Sequence, residues 1–471
     1  MKKVEFSAMR ICLYILLTVL LFPAAQGCKK DAPDVEPYPT DSIGKINRWI
    51  LDSMRQYYYW SDDIPKEYDY SQSPDQFFKS LLSPNDRFSW ISDGQLIRPP
   101  STSYFTYGFH FSLVQAPGYP NYIGVVNLVN KGGPADRAAL HRGSYFIKVN
   151  GVDITDDNKA AVIAALKQTG QVKITPAEYV NNTWNPLPEI TLRSGFSNEN
   201  PVHYTRSFTA GGITTGYLYY NSFDENYDAQ LLQAVAKLKN ANVRELILDL
   251  RYNAGGSVAS SGKLAALLAN GLTGTETYVI YEGNRHEGRK ARSLQTILSV
   301  SGNNNGKQYT DLQAGKLSLQ RVFILTTGAT VSAAELIVNN LKPFMTVVQI
   351  GETTAGKDEG SFLIDDERVP KQVSWSMQPT IYKLFNKNNV GGYHDGLTPQ
   401  YAINEMAELP LADIGEPADP LVQKALQIIY GNNMPVNFLN LRKQNSVILP
   451  VRTIYSSMIE QALLAPVISN Y

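Results

Sequence analysis

Two side chains that could exchange a proton stand close together in the sequence: Ser332, in "TTGATVSAAELIVNNLK" (326–342), and Lys357, in "GETTAGKDEGS" (351–361). A serine hydroxyl attacks a carbonyl only when a base takes its proton. A lysine can be that base only when uncharged, which requires burial to lower its pKa from ~10.4 to ~7–8, a cost of about 4 kcal/mol. Ser332 also suits another task. Glu335 follows it by three residues and apolar residues recur after it at helical spacing, so the pair fits a capping box at a helix start. The N–H groups and positive dipole of that same helix end favour an oxyanion, so capping and attack compete for one oxygen.

A third segment, "LILDLRYNAGGSVASSGKLAALL" (246–268), supplies possible partners for such an intermediate. Paired glycines let a backbone come close to a ligand and present N–H groups without side chains. Gly255, Gly256 and the N–H of Ala333 are therefore candidates for an oxyanion hole. Ser257 lies in G-G-S-V-A, one residue short of a G-x-S-x-G nucleophile elbow and too far past the strand for its tight turn. The five histidines, at 110, 141, 203, 286 and 394, stand in no motif that places one beside either serine.

The elements that must position these residues are legible from residue 205 onward. "TTGYLYYNSF", "ELILDLRY", "RVFILTT" and "TVVQIGE" read as strands, and "NYDAQLLQAVAKLKNANV", "SGKLAALLANGL" and 332–342 as helices between them. Such alternation predicts an α/β core over 205–435 with a largely parallel sheet, whose site gathers beyond the carboxyl ends of the strands. Residues 103–195 differ: "YFTYGFHFSLVQ" and "YIGVVNLVN" alternate like strands, "GGPADRAAL" turns into a short helix, and "VNG" marks a turn. Residues 43–95 carry two amphipathic helices, in "IGKINRWILDSMRQYYYW" and "SPDQFFKSLLS". Residues 436–471 are an extension, with "NSVILPVRTIYSSMIEQALL" predicted as a strand and a helix packed on the core or on a partner.

Lys2, Lys3 and Arg10 precede a short apolar run, "ICLYILLTVLLF", and then "PAAQGC". This pattern predicts a signal segment over 1–27 with lipidation at Cys28, the alternative being plain cleavage near Ala25. Residues 28–42 read as a polar tether, which makes the expected setting the cell envelope, with a lipid anchor in a membrane. Cys12 and Cys28 are the only cysteines, so the processed chain has no internal disulfide and no thiolate metal site. Lys plus Arg and Asp plus Glu both total 43, which argues against a nucleic-acid partner.

Taken together, "LILDLRYNAGG", "TTGATVSAAEL" and "VVQIGETTAGK" resemble the three successive signatures of the C-terminal processing peptidases, the tail-specific or tricorn-like serine proteases. Residues 103–195 resemble a PDZ domain of the kind found in bacterial proteases. The resemblance implies a multidomain α/β fold: a ClpP/crotonase-like serine peptidase core, an inserted PDZ-like β-rich domain and a small N-terminal helical unit. It implies Ser332 as nucleophile and Lys357 as base, no cofactor or metal, and a protein or peptide substrate captured by its C-terminal tail. In the PDZ-like domain, Tyr107, Gly108, Phe109 and His110 take the place of the carboxylate-binding loop, and an incoming tail would add as a strand to the neighbouring edge. The family's glutamine four residues beyond the lysine is Ser361 here, and the aspartate found in other members eleven residues after the nucleophile is Pro343. The group that orients Lys357 is thus unassigned. Two other readings stay open: a peptide-binding envelope lipoprotein of this fold without turnover, and an esterase using Ser257 with a histidine.

Overall fold

A computed structural model describes residues 42–93, 103–300, 307–435 and 449–464. The signal segment, Cys28 and nearly all of the tether lie outside the described residues. Among those described, no helix is long and apolar enough to cross a membrane and no cluster of His, Cys, Asp and Glu could hold a metal ion.

The chain begins with helices α1 (Ser42–Tyr57) and α2 (Pro74–Ser80). Their apolar faces meet around Ile50, Leu51, Met54, Phe77 and Phe78, and the same cluster takes in Ile364 and Met377 from far along the chain. A short strand, Trp90–Ser92, pairs with Ser376–Gln378. The helical unit is therefore built into the core rather than tethered to it.

Next come β1 (Phe109–Gln115), β2 (Tyr122–Val129), β3 (Tyr145–Val149), helix α3 (Lys159–Lys167), β4 (Gln171–Val180) and β5 (Thr183–Pro186). They form an antiparallel sheet with a core of its own around Phe111, Val126, Phe146, Val162 and Ile174. The main sheet follows: β6 (Val202–Ala210), β7 (Ile213–Tyr220), β8 (Glu245–Asp249), β9 (Arg321–Thr326), β10 (Thr346–Gly351) and β11 (Tyr401–Ala402), hydrogen-bonded in that order. From β7 to β11 every pair is parallel; only β6 runs antiparallel, against β7. Strands β8 and β9 are near-continuous apolar runs because helices cover both faces, as parallel sheets require. Helices α4 (Asp228–Asn240), α5 (Val258–Leu268) and α6 (Ala333–Leu341) pack in one apolar layer and α7 (Pro420–Tyr430) in the other. The expected multidomain α/β fold is what the chain adopts.

The final described segment adds β12 (Arg452–Ser456) and helix α8 (Ser457–Leu464). Strand β12 does not join the main sheet. It pairs antiparallel with β1 and so covers the edge where the sequence places an incoming tail.

Candidate active site

Strands β8 and β9 lie side by side, and the loops leaving their carboxyl ends are tied together. Thr330 Oγ1 donates to the Leu250 carbonyl at 2.8 Å, Thr327 Oγ1 donates to the Arg251 carbonyl, and the Val331 N–H donates to the Asn253 carbonyl at 2.9 Å. These bonds give the threonines before Ser332 a role: their short hydroxyls tie the loop to buried main-chain carbonyls at the end of β8.

The pinned loop delivers Ser332 with φ 61° and ψ −116°. A residue with a side chain seldom adopts this conformation, at a typical cost of ~1–3 kcal/mol, and such strain is concentrated at functional sites. Ser332 is 2% exposed. It occupies the N-cap of α6 in a capping-box arrangement, with its N–H donating to Glu335 Oε2 at 2.8 Å, yet its buried Oγ makes no hydrogen bond of ordinary geometry. The backbone half of the cap is thus firm, and the hydroxyl is not committed to it.

Lys357 follows β10, at the same end of the sheet, and is 4% exposed. Burial pulls its amine down to about 8, against the opposing influence of Glu359, Glu335 and Asp86. Phe88, from the N-terminal unit, lies across the amine, with Nζ 4.6 Å from the ring centroid. Arg87 fastens this cover by donating to the carbonyls of Gly356 and His394. Asp358 and Glu359, adjacent to Lys357 in sequence, both accept from Lys383, at 2.8 and 2.6 Å.

Glu335 joins the two halves. Its Oε2 accepts from the N–H groups of both Ser332 and Lys357, each at 2.8 Å, while Oε1 accepts from Thr354 Oγ1 at 2.5 Å and the Gly356 N–H at 2.6 Å. Burial pushes this carboxyl above its ordinary range, and the four donors oppose that push. Sequence reasoning saw only the capping bond; the second use of Glu335 had no local signal, because its other partners lie 19 to 22 residues further on.

The glycine pair lies beside this arrangement. Gly255 has φ +94°, and a Cβ there would fall 2.8 Å from Ser332 Cβ and 3.0 Å from the Ala333 nitrogen, so only glycine fits. The two glycines differ in availability. The Gly255 N–H donates to Asn253 Oδ1 at 2.8 Å and is therefore spent, which removes it as an oxyanion donor. Gly256, at φ +129°, bridges to Phe223 through its neighbours: Phe223 donates to the Gly255 carbonyl and Ser257 donates to the Phe223 carbonyl, both at 2.8 Å. That pairing does not use the Gly256 N–H. The Ala333 N–H opens the first turn of α6, where intrahelical partners are lacking.

Other predicted residues fall elsewhere. Ser257 caps α5: its Oγ accepts from the N–H groups of Ala259 and Ser260 and donates to the Glu225 carboxylate. Its oxygen is thereby occupied, which rules against the esterase reading. Tyr107, Gly108, Phe109 and His110 lie far along the chain from this site, at the start of β1. The Gly108 N–H donates to Thr106 Oγ1 at 3.2 Å, so it is not open to an anion. His110 lines a cavity beside α3, and burial lowers its pKa to about 4, leaving it neutral. At the position four residues after Lys357, Ser361 Oγ accepts from Gln378 Nε2 at 2.8 Å; a glutamine thus reaches this place from a distant strand, with no sequence signal to reveal it.

Comparison with known proteins gives a consistent picture. The model of peptidase family S41 matches residues 214–403, that of the S41 N-terminal domain residues 45–90, and that of the PDZ domain residues 106–175. A crystal structure from Bacteroides fragilis, described as an S41 protease, superposes with a TM-score of 0.66 at 27% identity, covering 82% of this chain and 97% of that one. A carboxyl-terminal-processing protease of Synechocystis is 24% identical over 305 residues, 64% of this chain and 63% of the relative. The chloroplastic carboxyl-terminal-processing peptidase 3 of Arabidopsis thaliana is 26% identical over 234 residues, 48% of this chain and 41% of the relative. The chain thus spans less than two thirds of the length of these curated relatives.

Proposed function

The chain belongs to peptidase family S41, and on that premise we propose that it is a serine endopeptidase that cleaves polypeptides through a Ser–Lys acyl-enzyme mechanism. Lys357, uncharged, takes the proton of Ser332 Oγ as that oxygen attacks the scissile carbonyl. The tetrahedral oxyanion is received by the N–H groups of Ala333 and Gly256, a contribution of ~3–4 kcal/mol per donor. Lys357 then protonates the leaving amine, the acyl-enzyme forms, and water resolves it with Lys357 again acting as base. Glu335 sets the geometry, because one carboxylate fixes the main chains of nucleophile and base together.

The observation that carries this reading is a strained, buried serine whose hydroxyl makes no hydrogen bond of ordinary geometry, tied through Glu335 to a lysine whose pKa burial lowers to about 8. A purely structural capping serine would need none of these features. The PDZ-like domain is the part that takes hold of the substrate, by its C-terminal tail. The working place is the cell envelope, with the chain held to a membrane through lipid on Cys28.

Purified protein is expected to digest unfolded β-casein and to react with a fluorophosphonate at Ser332, and Ser332→Ala is expected to lose both. Cleavage undiminished in Ser332→Ala would end the assignment. Casein left intact by a chain that still reacts at Ser332 would limit the protein to narrower substrates. In cells the protein should fractionate with membranes and Cys28→Ala should not; equal fractionation removes the anchor.

A further inference from the structure

Strand β1 has the features of a peptide-accepting edge, and its partner is the chain's own β12. Arg452 stands opposite Gln115, Thr453 opposite Val114, Tyr455 opposite Leu113 and Ser456 opposite Ser112, with a register shift between Thr453 and Tyr455. The Phe111 N–H, next along the edge, donates to Ser457 Oγ at 2.9 Å. Tyr455 packs on Phe111 with ring centroids 5.6 Å apart. On the far side, Glu460 of α8 pairs with Lys167 at the end of α3, 2.6 Å away. Between these walls a cavity of about 260 Å³ remains, lined by Tyr107, Phe109, His110, Leu166, Ser457 and Gln461 among others.

The same segment touches the loop that carries Ser332. Met458 is buried in the apolar cluster that contains Ala329 and Val331. Its neighbour Ile459 lies 3.4 Å from where a Cβ at Gly328 would sit. Residues 449–464 thus reach from the groove of the PDZ-like domain to the loop 327–331, while Ser332 Oγ itself is sealed from solvent.

Resting on the reading of this domain as a peptide-capturing module, we propose that residues 449–464 are an intramolecular occupant of its groove. A polypeptide substrate must displace them, and their departure frees the loop that presents Ser332. The segment is suited to leaving. Among residues 449–461 only Leu449 and Met458 are buried, so little apolar area opposes release. The Lys167–Glu460 pair is well exposed on both sides, and exposed pairs contribute little. What holds the strand is mainly its main-chain ladder, which an incoming extended peptide can replace bond for bond.

The test uses the full chain in detergent with Cys12→Ser and Cys28→Ser, so that introduced thiols stand alone. Gln115→Cys with Arg452→Cys places a cross-strand disulfide that locks β12 in place, and Tyr455→Ala with Met458→Ala loosens it. Binding is read in a Ser332→Ala background by fluorescence polarisation of a fluorescein-labelled decapeptide with an apolar C-terminal half and a free α-carboxylate. The oxidised lock should bind this peptide at least tenfold more weakly than its own reduced form, which serves as the folding control. The loosened chain should bind at least fivefold more tightly than the parent. With Ser332 restored, casein digestion should follow the same order. Equal binding by oxidised and reduced lock overturns the occupancy, as does absence of peptide binding in every form. Tighter binding without faster digestion overturns the link to the loop. If no form digests casein or reacts with the fluorophosphonate at Ser332 while binding still follows the lock, the catalytic reading falls and the occupancy stands.

Discussion

At Lys357 the requirements of catalysis and stability oppose each other. Burial lowers its pKa from the ordinary lysine value of 10.5 to about 8, which costs the fold ~3 kcal/mol. The unfolded chain holds this proton more tightly, so between pH 8 and 10.5 it binds more protons than the folded chain, and this group makes folding more favourable as pH rises through that window. Below pH 8 the full cost is present. Lys357→Met is therefore expected to abolish cleavage and yet melt at a higher temperature than the parent at pH 7, with the gap closing above pH 10. In the parent, kcat/KM should rise with pH to a midpoint near 8 and then level, because only the neutral amine accepts the proton from Ser332. A methionine variant that melts lower at pH 7 would mean that the amine stabilises the fold, which a buried base does not do.

At the scale of elements, the N-terminal helical unit does more than cap the molecule. It brings Phe88 over the Lys357 amine, and Arg87 latches it to the loop on either side of the base. Freeing the latch lets water back to the amine. Burial is the largest influence on that amine and exceeds a lysine–phenyl attraction of ~1 kcal/mol, so its loss governs the sign. Arg87→Ala should move the midpoint of the pH–rate profile upward by about one unit, which is close to a tenfold loss near pH 7 that disappears by pH 10. An unmoved midpoint would show that the cover has no part in tuning the base. This dependence also marks where sequence reasoning stops. The strands flanking the site were readable because buried parallel strands are unbroken apolar runs, and Ser332 and its helix because capping chemistry is local. Phe88 lies some 270 residues from Lys357, and Glu335 reaches its partners across a strand and a loop; no periodicity records such contacts. The tie between β12 and β1 joins chain regions separated by more than 300 residues and was hidden for the same reason. The Gly255–Gly256 pair was readable as a close approach, but not which of its N–H groups is already spent.

At the scale of the molecule, the PDZ-like domain and the core meet through buried charge. Arg142, between β2 and β3, donates to the carbonyls of Asn127 and Ala412 and to Tyr252 Oη, and its Nη2 lies 2.7 Å from Glu405 Oε2. Arg251, with no exposed surface, reaches the same oxygen at 2.6 Å and also pairs with Asp249 and Asp419, each at 2.7 Å. Burial alone would push Glu405 up, but Arg142 and Arg251 outweigh it and hold the carboxyl at about 2. A carboxyl depressed in the folded state stabilises the fold above its ordinary pKa of 4.5, and that stability drains away as pH falls from there towards 2. Without Arg142 the three carboxylates of this buried cluster share Arg251 alone, and breaking a buried ion pair costs ~3–5 kcal/mol. Arg142→Met should accordingly lower the urea midpoint strongly at pH 7, and the difference from the parent should shrink as pH drops below about 4, because the parent then loses the stability its depressed Glu405 carboxyl supplies while the variant, with a less depressed carboxyl, has less to lose. A deficit that stayed constant from pH 7 to pH 3 would assign the loss to the hydrogen bonds with Asn127 and Ala412 and leave the Glu405 charge without a role in fixing the domain to the core.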